Sequence, residues 1–215
     1  MENKNQPPKK SRGRPRAYDP EQALEAAMRT FWKSGYSGTS LDDLCAAMQM
    51  NRPSLYAGFG DKQHLYLQAM QRFQAHARQH LSEALAARDS DTGLAEPLTR
   101  YLHAAIELYT SGSATGCAVI STASAEALAE PEIQHLSAGI LRDMDAQLCQ
   151  YLKASVKAGA LSGEADIKAL TFLLTASVHS IGLRARAGND RKALKRMADA
   201  LLNNLLPRLA DQAKA

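Results

Sequence analysis

Residues 39 to 62, TSLDDLCAAMQMNRPSLYAGFGDK, decide the fold. Thr39 or Ser40 can cap a helix whose first turn carries Asp42 and Asp43, where the positive end of the helix dipole favours acids. Leu41, Leu44, Cys45 and Met48 give that helix one apolar face. After a turn at Gln49 and Met50, Asn51 is a good cap, and Pro53 is tolerated only in a first helical turn. A second helix is therefore predicted over about 52–59. Only Leu55 and Phe59 need face inward, which leaves Arg52, Ser54, Tyr56 and Ala57 free for a partner. Two short helices across a tight turn are the outline of a DNA-binding helix-turn-helix.

Upstream, Asp19 caps a first helix with Pro20 at its first position, and Leu24, Ala27, Met28, Phe31 and Trp32 recur on one face until Gly35 ends it. Downstream, Gly60 breaks the second of the two short helices and Asp61 caps a fourth. Lys62 then stands at a helix N-terminus, a poor place for a cation unless a phosphate is bound there; otherwise it points to water. Seven of the 12 aromatic residues lie between 18 and 66. A unit of that size, lacking metal and disulfide, needs bulky side chains to build a core.

The net charge of +4 is concentrated in the first 16 residues, where Lys4, Lys9, Lys10, Arg12, Arg14 and Arg16 oppose Glu2, so the remainder sums to −1. Residues 1–17 hold Pro7, Pro8, Gly13 and Pro15 and no apolar run. They are predicted to be a disordered basic arm when free, one that waits for a polyanion. Within it Arg12-Gly13-Arg14-Pro15-Arg16 resembles the core of an AT-hook, whose guanidinium groups fit a narrow minor groove.

Everything else reads as helix, at roughly 62–86, 94–110, 117–129, 132–158, 165–187 and 190–211, with breaks rich in Gly, Ser and Pro. Ile167, Leu170, Leu173, Leu174, Val178 and Ile181 make one helix apolar nearly all round, so both sides need cover. The last helix carries Leu194, Met197, Leu201, Leu205 and Leu209 on one face. Two such helices suit a four-helix bundle between subunits. Arg184, Arg186, Arg191, Lys192, Lys195 and Arg196 read as a solvated corner.

Three widely spaced cysteines, Cys45, Cys117 and Cys149, exclude a zinc finger or disulfide framework. The polar, basic start predicts no signal peptide, and no run is long enough for a bilayer, so a cytoplasmic chain without membrane contact is expected. No nucleophile elbow, phosphate loop or HExxH is present, and an enzyme is not expected. His76 and His80 share a helix face but lack a third ligand, so neither metal nor cofactor is assigned. Cys117, after Gly116 at a predicted helix start, is either a thiol activated by the dipole or a small buried residue. Tyr101, His103, Tyr109, Cys117, Tyr151 and His179 are candidate lining for an effector pocket between helices, or else satisfied core residues.

From Tyr18 to Leu67, the order and spacing of Phe31, Gly35-Tyr36, Thr39-Ser40, Leu55-Tyr56, Phe59 and Lys62 resemble the TetR family of bacterial transcriptional regulators. The resemblance implies an all-α chain: a three-helix DNA-binding domain over 18–65 and a larger helical domain over 66–215 for effector binding and dimerisation. It further implies a homodimer formed through the two C-terminal helices, a palindromic double-stranded operator, and release of a repressor by a small effector. By the same resemblance Thr39, Tyr56 and Lys62 meet phosphates and Arg52 and Ser54 lie near base edges. For Arg52, paired donors suit guanine, and a second phosphate contact is the alternative. Gly58 and Pro53 depart from the family, which often has a large residue at the first position and a small one at the second. Competing readings are an electrophile sensor acting through Cys117, and a helical scaffold or a small-molecule or metal binder whose helix-turn-helix is structural.

Overall fold

A computed structural model describes residues 18–88, 91, 93–112 and 116–212, apart from the side chains of 122–124 and 208–212. The predicted arm, with Arg12, Arg14 and Arg16, lies outside the described residues, as does the side chain of Leu209. In chain order the helices are α1 (Pro20–Ser34), α2 (Leu41–Met48), α3 (Arg52–Phe59), α4 (Lys62–Leu85), α5 (Ala95–Thr110), α6 (Ala118–Glu126), α7 (Pro131–Lys157), α8 (Ile167–Arg186) and α9 (Arg191–Gln212). No strand occurs among the described residues.

Local chemistry sets the boundaries. Asp19 Oδ1 accepts from Glu21 N at 2.9 Å, and Asn51 Oδ1 accepts from Ser54 N at 2.9 Å. Ser40 and Asp43 exchange side-chain and backbone bonds in a capping box. The cap of α2 is thus Ser40 and not Thr39. Between α2 and α3, Gln49 adopts the left-handed conformation, φ 53°, and Met50 N donates to Cys45 O at 2.9 Å, so the turn closes tightly enough to set α3 across α2. Pro131 sits in the first turn of α7, where its missing N–H costs nothing.

The first three helices form a head around Ala27, Phe31, Leu44, Met48, Leu55 and Phe59. Helix α4 belongs to both ends of the molecule. Its Tyr66 packs edge-on to Phe31, ring centroids 5.1 Å apart, and its Phe73 packs edge-on to Trp32 at 4.9 Å. Arg72 of α4 clamps Glu21 and Glu25 of α1. Beyond residue 73, α4 joins α5, α7, α8 and α9 in a second bundle, where Leu98, Leu102, Ile106, Ile133, Leu148 and Val178 are buried.

The two C-terminal helices differ in part from the expectation. On α9 the buried stripe is Leu194, Ala198 and Leu202, which packs on α5. Met197 is 39% exposed, and Leu201 and Leu205 are half-buried, so the predicted stripe is split between a buried and an outer flank. On α8, Leu170, Leu174, Val178 and Ile181 point inward, while Phe172, Leu173 and Leu183 are 72%, 41% and 63% exposed. The all-round apolar character of that helix is real, and one side of it is uncovered in the single chain.

Candidate nucleic-acid interface

Helix α3 is held from beneath by Leu55 and Phe59, both buried, and turns its other face outward. Asn51, Arg52, Pro53 and Ala57 are exposed, Tyr56 is 49% exposed and Ser54 is half-buried. An exposed tyrosine above two buried neighbours has no packing role that would account for it, and its hydroxyl is free to meet a partner.

The Arg52 fork is engaged. Nε and Nη2 reach Asp42 Oδ1 at 3.1 and 2.9 Å, and Nη2 reaches Oδ2 at 3.0 Å. The pair ties the start of α3 to the first turn of α2, and the carboxylate raises the guanidinium pKa further. Both side chains are exposed. Solvent screens such an exposed pair, so it can be exchanged for a phosphate or a guanine edge.

At the start of α4, Lys62 Nζ stands 4.5 Å from the Tyr36 ring centroid, so its ammonium is parked on an aromatic face. Asp61 caps the helix by accepting from His64 N at 2.8 Å and faces the His64 ring at 2.9 Å. The ring contact holds the imidazole pKa above its ordinary value, and the His64 N–H, with the ring after it, holds the Asp61 carboxyl below its own. Sequence reasoning missed His64. An Asp cap three residues before a histidine is a readable signal for a raised imidazole pKa.

Thr39 requires a correction. It is 1% exposed, its hydroxyl donates to Gly35 O at 2.7 Å and its N–H donates to Tyr36 O at 3.2 Å. In this conformation both donors brace the turn between α1 and α2, and neither is presented to a phosphate.

The candidate effector residues do not converge. His103 Nε2 faces Asp199 Oδ1 at 2.8 Å between α5 and α9. Tyr151 is half-buried, and Tyr101 is buried in the core, which raises its phenol pKa. His179 Nε2 is the one buried side-chain nitrogen or oxygen among the described residues with no hydrogen-bond partner, and burial lowers its pKa. Tyr109 and Cys117 do share a small space, about 10 Å³ beside Phe73 and Met144, which is room for a single water. The two hydrogen-bond to each other. The N–H groups of Val119 and Ile120 do pull the Cys117 thiol pKa down, as expected at a helix start, but burial outweighs them and the net shift is upward. Cys117 is a protonated, shielded thiol here.

The roomier space was not legible in the sequence. A cleft of about 720 Å³ separates α4 from α7, lined by Gln71, Gln74, Arg78, Leu136, Ile140 and Asp143 among others. Gln74, Arg78 and Ile140 also border the small Tyr109–Cys117 cavity behind it. Among the described residues no cluster of His, Cys, Asp and Glu could hold a metal, and no helix is long and apolar enough to cross a membrane.

Hydrogen bonds bind head to body. Trp32 Nε1 donates to Gly116 O at 2.8 Å, and Arg186 Nη1 and Nη2 donate to the carbonyls of Trp32 and Lys33 at 2.7 and 3.0 Å. Ser37 N and Oγ donate to the Glu126 carboxylate at 3.1 and 2.8 Å. Gln63 Nε2 donates to Glu130 Oε2 at 2.9 Å. Helix α6 is thereby strapped to the head at both ends.

Residues 23–69 match the model of bacterial regulatory proteins of the tetR family, and residues 95–201 match a tetracyclin repressor-like C-terminal domain. The HTH-type transcriptional repressor ComR of Escherichia coli K12 is 28% identical over 196 residues, covering 90% of this chain and 92% of that one. The repressor BdcR of the same organism is 35% identical over 109 residues, 50% of this chain and 54% of its own. Among solved structures, a cysteine mutant of the TetR family regulator CifR, complexed with 26-bp double-strand operator DNA, superposes with a TM-score of 0.81 at 24% identity over 89% of this chain and 98% of that one. A helix-turn-helix with an exposed reading face, followed by a helical body that matches the family's second domain, leaves one assignment: the chain belongs to the TetR family of DNA-binding transcriptional regulators.

Proposed function

We propose that the chain acts as a homodimeric repressor that binds a palindromic operator through α3 and is released by a small effector. The observation that carries the reading is the outward face of α3, where Arg52 and Tyr56 stand exposed above the buried Leu55 and Phe59. Arg52 and Ser54 are placed at base edges, and Tyr56 and Lys62 at phosphates. Two-fold symmetry sets two such faces about 34 Å apart, one turn of DNA, or at a multiple of it. The repressor sign is supported by ComR and BdcR, both named repressors, and the operator by the DNA complex of CifR.

The effector acts by population shift. It binds preferentially a conformation in which α4 and the doubly strapped α6 hold the two heads at the wrong spacing, and a swing from 99:1 to 1:99 needs a preference of about 5.5 kcal/mol. The cleft between α4 and α7 is the space of suitable size for it.

A shift assay with the protein's own upstream region tests the reading. The double variant Tyr56→Phe with Lys62→Ala should weaken operator binding about tenfold or more and reduce the slope of log affinity against log salt by about one, with the melting temperature nearly constant. Unchanged affinity would remove both residues from the interface.

A further inference from the structure

Two side-chain bonds pin α4 to α7. Gln63 Nε2 donates to Glu130 Oε2 at 2.9 Å near the head, and Gln147 Nε2 donates to the Arg78 carbonyl at 3.3 Å further along. The two helices therefore run side by side in the same direction, and between the pins they part around the cleft of about 720 Å³. Ala75 of α4 and Leu136 and Ile140 of α7 give that cleft its apolar lining. Gly139 lies on the same face of α7 and has no local reason to be glycine. Its φ is not positive, an added Cβ would meet nothing nearer than the Arg142 guanidinium at 3.8 Å, and glycine is among the poorest helix formers. What its missing side chain leaves is room in the cleft.

The charges in the walls narrow what that room suits. Glu83 accepts from Gln79 Nε2 at 3.0 Å. The guanidinium of Arg78, on α4, and the carboxylate of Asp143, on α7, have no hydrogen-bond or ion-pair partner among the described residues, and they do not pair with each other. Gln74 and Gln71, one and two turns before Arg78 on the same face, add amides whose donors and acceptors are also unspent. A ligand lying in the cleft displaces water from both charges, and each then needs a counter-charge. An organic acid would meet Arg78 and leave Asp143 bare, and an organic amine would do the reverse. A ligand carrying both signs leaves neither unpaired.

We propose that the cleft between α4 and α7 takes an apolar zwitterion, a free amino acid or a short peptide, with its carboxylate on Arg78, its ammonium on Asp143 and its side chain over Gly139. The proposal rests on the reading of this cleft as the effector site and names the class of effector. The guanidinium fork matches a carboxylate in two parallel bonds, and the Gln71 and Gln74 amides can serve either end of the ligand or a peptide bond between them.

Isothermal titration of the full chain tests it with three probes that share one apolar body: L-phenylalanine, 3-phenylpropionate, which lacks the ammonium, and phenethylamine, which lacks the carboxylate. L-Phenylalanine should bind at least about tenfold tighter than either, the loss expected when one charged hydrogen-bonding partner is removed. Arg78→Gln should bring it down to the level of phenethylamine, and Asp143→Asn to the level of 3-phenylpropionate. Gly139→Leu, which fills the floor, should lose all three. L-Leucyl-L-phenylalanine, whose charges stand farther apart, separates the two sources: tighter binding than the amino acid assigns the cleft to peptides, and weaker binding assigns it to free amino acids. Equal affinity for L-phenylalanine and either one-charge analogue, no binding of any probe, or a zwitterion preference that survives both charge variants would overturn the proposal. If the pattern appears but the zwitterion does not release the operator in the shift assay, the ligand class stands and the effector reading of the cleft fails, a distinct result.

Discussion

At the residue scale, His64 should give the proposed interface a pH response that Lys62 alone would lack. Asp61 raises the imidazole pKa above its ordinary 6.5, so the ring gains its proton at a higher pH than a free histidine. A phosphate near Lys62 would raise it further, because it favours the charged form. Operator affinity should therefore increase as pH falls from about 8 to 6, and His64→Gln should flatten that dependence while binding at pH 8 stays close to wild type. A titration of affinity against pH checks it, and an unchanged profile in the variant would place His64 away from the duplex. Thr39 makes the opposite case. With its hydroxyl spent on Gly35 O, Thr39→Val should lose about 1 kcal/mol of stability, read by chemical denaturation, and leave the salt dependence of DNA binding untouched.

At the scale of elements, much was legible because helix boundaries are local chemistry. Asp19, Ser40, Asn51 and Asp61 each cap the helix that follows them, and periodicity correctly turned Leu55 and Phe59 inward and Tyr56 outward. What sequence could not give was decided by partners far along the chain. Trp32 bonds to Gly116, 84 residues away, and Ser37 bonds to Glu126, 89 away. Leu194 rather than Met197 is buried because α5 happens to lie on that side of α9. The scatter of the six pocket candidates has the same origin, since helical spacing shows which residues share a face but not which face meets which. Gly116 shows what such contacts demand. Its φ is +83°, and an added Cβ would lie 2.7 Å from Gly182 O and 2.9 Å from Arg186 Cβ, the residue whose guanidinium holds the head. Gly116→Ala should cost about 1–3 kcal/mol and loosen the start of α6. Gly139, inside α7, would meet only the end of the Arg142 side chain at 3.8 Å; Gly139→Ala should stabilise by about 0.5–1 kcal/mol. Opposite shifts in melting temperature confirm the pair, and equal shifts would contradict the packing at the Gly116 strap.

At the scale of the whole molecule, the uncovered side of α8 sets what the single chain needs. Phe172 and Leu183 are 72% and 63% exposed. They lie three helical turns apart on one stripe, with exposed Ala176 and Ser180 between them, small residues that let a second helix approach closely. Leu173 and, on α9, Met197 add to the exposed apolar area. A patch of this kind on a water-facing helix marks an interface, and a two-fold axis through it would join two α8–α9 pairs in one four-helix bundle. In the proposed dimer, operator affinity should depend on that junction, because the second head binds at the effective concentration set by the first, a gain of about 10²–10⁴. Phe172→Glu with Leu183→Glu places four carboxylates on the shared axis while leaving the core of each subunit alone. The variant should elute as a monomer of about half the wild-type mass in light scattering, keep its helical circular dichroism, and bind the full operator about 10²–10⁴-fold more weakly, close to its affinity for a single half-site. A variant that stays dimeric would move the interface off α8, and a monomer with undiminished operator affinity would mean that the two heads do not act together.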